Sequence, residues 1–142
     1  MVGYNISMIN TIKKNLDEHK EVFDQLGSLE VQIANVASLL IEALGNGNTI
    51  FWCGNGGSAS DSQHLACELI GRFKGDRRPL KSISLNSDSA VMTCIVNDYG
   101  YEYIFSRQIE ALGSKGDVLI GISTSGQSEN VNNALRIANE NE

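Results

Sequence analysis

Asp61, His64, Glu68 and Arg72 recur at spacings of three and four residues, which on a helix places all four along one stripe. A histidine and a glutamate one turn apart can ligate a single metal ion, and the same carboxylate can act as a base toward a bound sugar. The competing reading is a solvated, salt-bridged face. What favours chemistry is the neighbour: the stripe begins beside Gly54-Asn55-Gly56-Gly57-Ser58-Ala59, and a second loop, Ser123-Thr124-Ser125-Gly126-Gln127-Ser128, is built alike. Each loop follows an apolar, strand-like run and precedes a helical pattern. Hydroxyls and free backbone N–H groups at a helix N-terminus suit an anion, because the orphan amides and the helix dipole both favour negative charge there. A phosphorylated ligand is the expectation. The structural alternative is that Ser58, in the capping-box pattern Ser58-Ala59-Ser60-Asp61, and Ser128 merely cap their helices.

These residues need a scaffold that brings both loops together. Ile9, Ile12, Leu16, Phe23 and Leu26, then Leu29, Ile33, Val36, Leu40 and Leu44, predict two amphipathic helices, ended by Gly45-Asn46-Gly47-Asn48. Strand and helix then alternate: strand 49–53, helix 58–73, strand 82–85, a helical region 88–112 interrupted at Asp98-Tyr99-Gly100, strand 118–122 and helix 128–141. Alternation of this kind implies parallel strands with crossovers, a doubly wound, flavodoxin-like α/β sheet. In the order 2-1-3, strands 1 and 3 are neighbours at the topological switch point and both loops face one crevice. The chain reads as one domain over 1–142, with a helical segment 1–45 and an α/β core 49–142. Asn97-Asp98-Tyr99-Gly100 is either an ordinary turn or a sugar-hydroxyl contact.

Gly54-Asn55-Gly56-Gly57-Ser58-Ala59 also fits the short dinucleotide pattern G-x-G-x-x-A, but Asp88 supplies the expected acidic residue poorly, and that reading needs no second hydroxyl loop. No Gly-Lys-Ser/Thr follows either loop, which argues against a Walker nucleotide site. A net charge of −6 disfavours a general nucleic-acid or anionic-membrane surface. No apolar stretch is expected to reach membrane-span length and no secretory signal is seen, so the cytoplasm is expected. Cys53, Cys67 and Cys94, odd in number and far apart, read as buried thiols.

Cys53-Gly-Asn-Gly-Gly-Ser-Ala-Ser-Asp-Ser-Gln-His-Leu-Ala-Cys-Glu68, Asn97-Asp-Tyr-Gly100, Phe105-Ser-Arg-Gln108 and Gly121-Ile-Ser-Thr-Ser-Gly-Gln-Ser128 together resemble the phosphoheptose isomerases of the SIS (sugar isomerase) superfamily. The resemblance implies conversion of sedoheptulose 7-phosphate to D-glycero-D-manno-heptose 7-phosphate for ADP-heptose and lipopolysaccharide core synthesis, in a homotetramer. It assigns phosphate contacts to Ser58, Ser123, Thr124, Ser125 and Ser128, and sugar contacts to Asn55, Gly56, Gly57, Asn97 and Asp98. It places zinc, one per subunit, on His64 and Glu68, and makes Glu68 the base. Members of the family continue for roughly two more strands and a helix in sheets that commonly hold five or six strands. That continuation would supply the remaining zinc ligands and a histidine acid/base. The competing function is a non-catalytic SIS module that binds a sugar phosphate or a replication initiator.

Overall fold

The computed structural model describes residues 6–140. They fall into two compact units, one ending at Leu39 and the other beginning at Leu40. The first contains α1 (Ile6–Asp24), a 3-10 turn (Gln25–Leu29) and most of α2 (Glu30–Gly45), whose final residues belong to the second unit. The two expected helices are therefore present. Their apolar residues lie open, Leu16 and Phe23 being 64% and 63% exposed.

The expectation that no stretch reaches membrane-span length is corrected by this helical run. Ile6–Gly45 holds 40 residues and an 18-residue window of mean hydropathy 1.2, enough to cross a bilayer by length and composition alone. The reason is that Glu30 and Glu42 are the sole charges between Ser28 and Gly45. Gln32, Asn35, Ser38 and Glu42 nonetheless share one stripe, a pattern suited to a helix whose other faces pack on protein.

In the second unit the Asn/Gly stop after α2 works as expected: Gly47 adopts φ 84°, and the Asn46 and Asn48 amides bond back to Glu42 and Ala43. The sheet has three parallel strands, β1 (Ile50–Gly54), β2 (Ser82–Ser84) and β3 (Val118–Ile122), in the expected order β2-β1-β3. Successive side chains alternate between its faces. Ile50, Trp52, Val118, Ile120 and Ile122 pack with the end of α2 and with α3 (Gly57–Ile70). Phe51, Cys53 and Leu119 pack on the opposite side with residues of α5 (Ser106–Leu112) and α6 (Glu129–Glu140). Helices thus cover both faces, which is the doubly wound α/β class. At Gly121 a side chain would meet Val131 Cγ1 at 2.5 Å, so glycine lets α6 lie against β3.

Between β2 and β3 the expected interruption splits the helical region into α4 (Ser89–Asp98), a 3-10 turn (Tyr101–Tyr103) and α5. Asp88 caps α4, accepting the Ala90 and Val91 amides at 2.9 and 3.0 Å. It is therefore a structural cap, which removes the acidic residue of the dinucleotide pattern. The expected extension of α6 to Asn141 lies outside the described residues.

Candidate active site

The first loop is shorter than its sequence suggests. Gly54 ends β1, Gly56 turns the chain at φ 56° and ψ −120°, and α3 starts at Gly57. Ser58 therefore sits inside the first turn and is no N-cap; the Ser58 and Ala59 amides bond back to the Asn55 and Gly56 carbonyls at 3.0 and 3.1 Å. A side chain at Gly54 would overlap Ser58 Cβ and carbonyl oxygen at 2.7 Å, so close packing of strand and helix requires glycine there.

Asn55 is the hub. Its Nδ2 donates to Asn130 Oδ1 at 2.9 Å, and its Oδ1 accepts from Asn130 Nδ2 at 2.9 Å and from the Tyr101 hydroxyl at 2.8 Å. Asn130 is buried at the start of α6, where its Oδ1 also accepts the Val131 amide. One amide pair thus ties the loop after β1 to the helix after β3. Asn86 clamps the same corner from the turn after β2, accepting the Gly54 N–H and donating to the Gly54 carbonyl. Asn130, Tyr101 and Asn86 did not emerge from the sequence; the Asn-rich start of α6 is the signal that could have found the first.

The second loop is organised differently. The Ser123 hydroxyl accepts the Gly126 amide and the Ser125 hydroxyl accepts the Gln127 amide, both at 3.1 Å. Ser123 Oγ lies 3.0 Å from Ser128 Oγ and 3.5 Å from Ser125 Oγ. Thr124 and Ser125 are exposed, Ser123 and Ser128 half-buried. Ser123 and Ser125 accept amide protons while their hydroxyls also meet one another and Ser128, a preordered cluster of O–H groups that an anion can recruit as donors. Because Gly54 pairs with Ile122, the two loops leave neighbouring strands at one level.

On α3, Asp61, His64 and Glu68 share the expected stripe, but Arg72 does not: the helix ends at Ile70 and Gly71 breaks it. His64 Nε2 lies 3.8 Å from Glu68 Oε1, with the two side chains 71% and 31% exposed. Beside them opens a mostly apolar cleft of about 430 Å³, walled by Leu44, Trp52, Leu65, Leu69 and Phe73. The Arg77 guanidinium closes one rim by donating to the Glu68 and Leu69 carbonyls. Asn97 and Asp98 end α4, where Asn97 Nδ2 donates to Asp98 Oδ1 at 2.7 Å.

The cysteines need a correction. Only Cys53 is buried, and burial pushes its thiol up to about 12; Cys67 and Cys94 are exposed. The reason is helical phase: Ser62 and Ala66 take the buried side of α3, which turns Cys67 outward.

The SIS domain family matches residues 15–142. A phosphoheptose isomerase of Geotalea uraniireducens is 54% identical over 134 residues, 94% of this chain and 71% of that protein. One from Campylobacter jejuni is 52% identical, over 94% of this chain and 72% of the relative. The chain belongs to the phosphoheptose isomerase family. The structure of the Neisseria gonorrhoeae phosphoheptose isomerase superposes with a TM-score of 0.87 at 38% identity, covering 94% of this chain and 70% of that one. The fold of this isomerase is accordingly the SIS fold, and relatives at this identity favour an enzyme over a non-catalytic module.

Proposed function

We propose that this isomerase converts sedoheptulose 7-phosphate to D-glycero-D-manno-heptose 7-phosphate in the cytoplasm, as a step toward ADP-heptose. The observation that carries the reading is the meeting of Asn55 and Asn130. It fixes the serine-rich loop after β3 beside the start of α3, the helix that bears Glu68.

Ser123, Thr124, Ser125 and Ser128, with Ser58 from α3, hold the phosphate. Asn55, Gly56, Gly57, Asn97 and Asp98 form the sugar-facing wall. From Ser58 to Glu68 the helix rises about 15 Å, and the glutamate side chain leans back toward the N-terminus. A sugar phosphate whose phosphate lies several carbons from its carbonyl suits such a separation. Phosphate binding at one end then positions the carbonyl end at the other.

The reaction moves the carbonyl from C2 to C1. Glu68 takes a proton from C1 of the open-chain ketose to give a cis-enediolate; the proton returns at C2 while the C1 hydroxyl proton is passed to O2, which leaves the carbonyl at C1. His64 and Glu68 are the residues that would hold zinc. Their nitrogen and oxygen donors at 3.8 Å fit that ion, which supplies Lewis acidity toward the carbonyl oxygen when bound. A homotetramer is supported by the apolar residues exposed along α1 and α2, the kind of surface that helices of further copies cover. Nucleic acid and membrane are not proposed as partners.

Glu68→Gln keeps the side chain's shape but removes the base, and is expected to slow solvent-deuterium incorporation at C1 by about 10²–10⁴-fold while sugar-phosphate affinity holds. NMR of the substrate in D₂O reads the exchange. Undiminished exchange in this variant rules out Glu68 as the base.

A further inference from the structure

We infer that Tyr101 is a specificity-determining residue whose hydroxyl oxygen accepts a hydrogen bond from a hydroxyl of the sugar chain, with Asn130 as the positioning residue that sets its polarity. This rests on the reading of Asn55 as a sugar contact and adds two residues to it. One backbone group fixes the direction of every proton in the chain from Asn130 through Asn55 to Tyr101. The Val131 N–H can only donate, so the Asn130 atom 2.9 Å away is the carbonyl oxygen. Asn130 therefore turns its Nδ2 toward Asn55, where the partner at 2.9 Å must be Oδ1, and Asn55 Nδ2 donates back to Asn130 Oδ1. The Tyr101 hydroxyl, 2.8 Å from Asn55 Oδ1, meets an atom that cannot donate and gives its own proton.

Both lone pairs of Asn55 Oδ1 are thereby filled. Two valences are left without another partner among the described residues: the second Nδ2 hydrogen of Asn55, and the lone pairs of the Tyr101 oxygen. A donor beside an acceptor complements a hydroxyl, which does both; a carbonyl or phosphate oxygen offers no proton for Tyr101 to accept. Tyr101 is 53% exposed, so a ligand can reach it, and Asn97 and Asp98 of the sugar-facing wall lie four and three residues before it. Its turn is held without the hydroxyl, by the Tyr103 amide on the Gly100 carbonyl at 3.3 Å and by Asn133 Nδ2 on the Glu102 carbonyl at 3.2 Å.

Calorimetric titration of the 142-residue protein with two probes, sedoheptulose 7-phosphate and inorganic phosphate, tests the inference. Tyr101→Phe is expected to weaken the sugar phosphate about three- to tenfold and to leave inorganic phosphate within about twofold. Asn130→Ser can still accept the Val131 amide but does not reach Asn55, so the carboxamide is free to turn. It should lower sugar-phosphate affinity by a similar factor, and in its background Tyr101→Phe should add less than about twofold, the two residues acting as one unit. Thermal melting checks folding, and Asn55→Ser, which breaks the chain at its middle, replaces Asn130→Ser if that variant does not fold. Unchanged sugar-phosphate affinity in Tyr101→Phe, or equal loss of both probes, overturns the contact. Fully additive losses overturn the positioning role of Asn130. Ser125→Ala separates these failures from that of the underlying reading. If the unsubstituted protein does not bind sedoheptulose 7-phosphate, or binds it as well after Ser125→Ala, the sugar-phosphate reading itself falls; if Ser125→Ala weakens binding and Tyr101→Phe does not, only the present inference does.

Discussion

The loops after β1 and β3 leave paired strands at one level and share a composition of glycine, hydroxyl and amide side chains, yet they use their polar groups in opposite directions. The first turns inward: Asn55 bonds to Asn130 and Tyr101, Gly54 is clamped by Asn86, and the first amides of α3 fold back on the loop. The second turns on itself and outward, with Ser123 and Ser125 holding its own amides while Thr124 and Ser125 stay exposed. Similar composition therefore serves two purposes. One loop joins two crossovers of the sheet; the other presents O–H groups on an already ordered frame.

Asn55→Ala should expose this contrast most strongly. It leaves buried Asn130 without a side-chain partner and removes the acceptor of the Tyr101 hydroxyl, for a loss of about 3 kcal/mol in folding stability. Denaturant unfolding measures it, and an unchanged midpoint would mean that the first loop is not the joint. Gly54→Ala should cost about 2 kcal/mol by the same measurement, because the added methyl meets the backbone of Ser58 and cannot be relieved by a side-chain rotation. Ser125→Ala should show the smallest free-energy change and a different kind. Sugar-phosphate affinity is expected to fall about tenfold, one charged-acceptor hydrogen bond being worth about 1.5 kcal/mol or more, while the unfolding midpoint barely moves. Calorimetric titration beside thermal melting distinguishes the two. A stability loss in Ser125→Ala as large as that of Asn55→Ala would erase the distinction.

Much of this arrangement is legible in the sequence, for a physical reason. Strands 50–54 and 118–122 are short, wholly apolar runs set between helical patterns, so a parallel sheet with both loops at its switch point follows from period and alternation. The Asn55–Asn130 pair does not follow, because its members are 75 positions apart and neither has a local pattern that points to the other. Arg72 shows a different kind of error. The three-and-four spacing continues through it, but Gly71, an ordinary helix stop, ends the helix that the spacing presupposes. Cys67 is exposed against expectation because a thiol's burial depends on the face it occupies, and α3 turns its serine and alanine inward.

Cys53 lies on the central strand, wholly buried, with a thiol that keeps its proton far above neutrality. Thiol reagents attack the thiolate, so this group is shielded twice, by lack of access and by retention of the proton. The chain consequently carries its own clock for opening of the sheet. Once the two exposed cysteines have been alkylated, each further modification event records a molecule whose β1 has separated from its neighbours, and the rate of that slow third reaction reads the kinetic persistence of the core without denaturant.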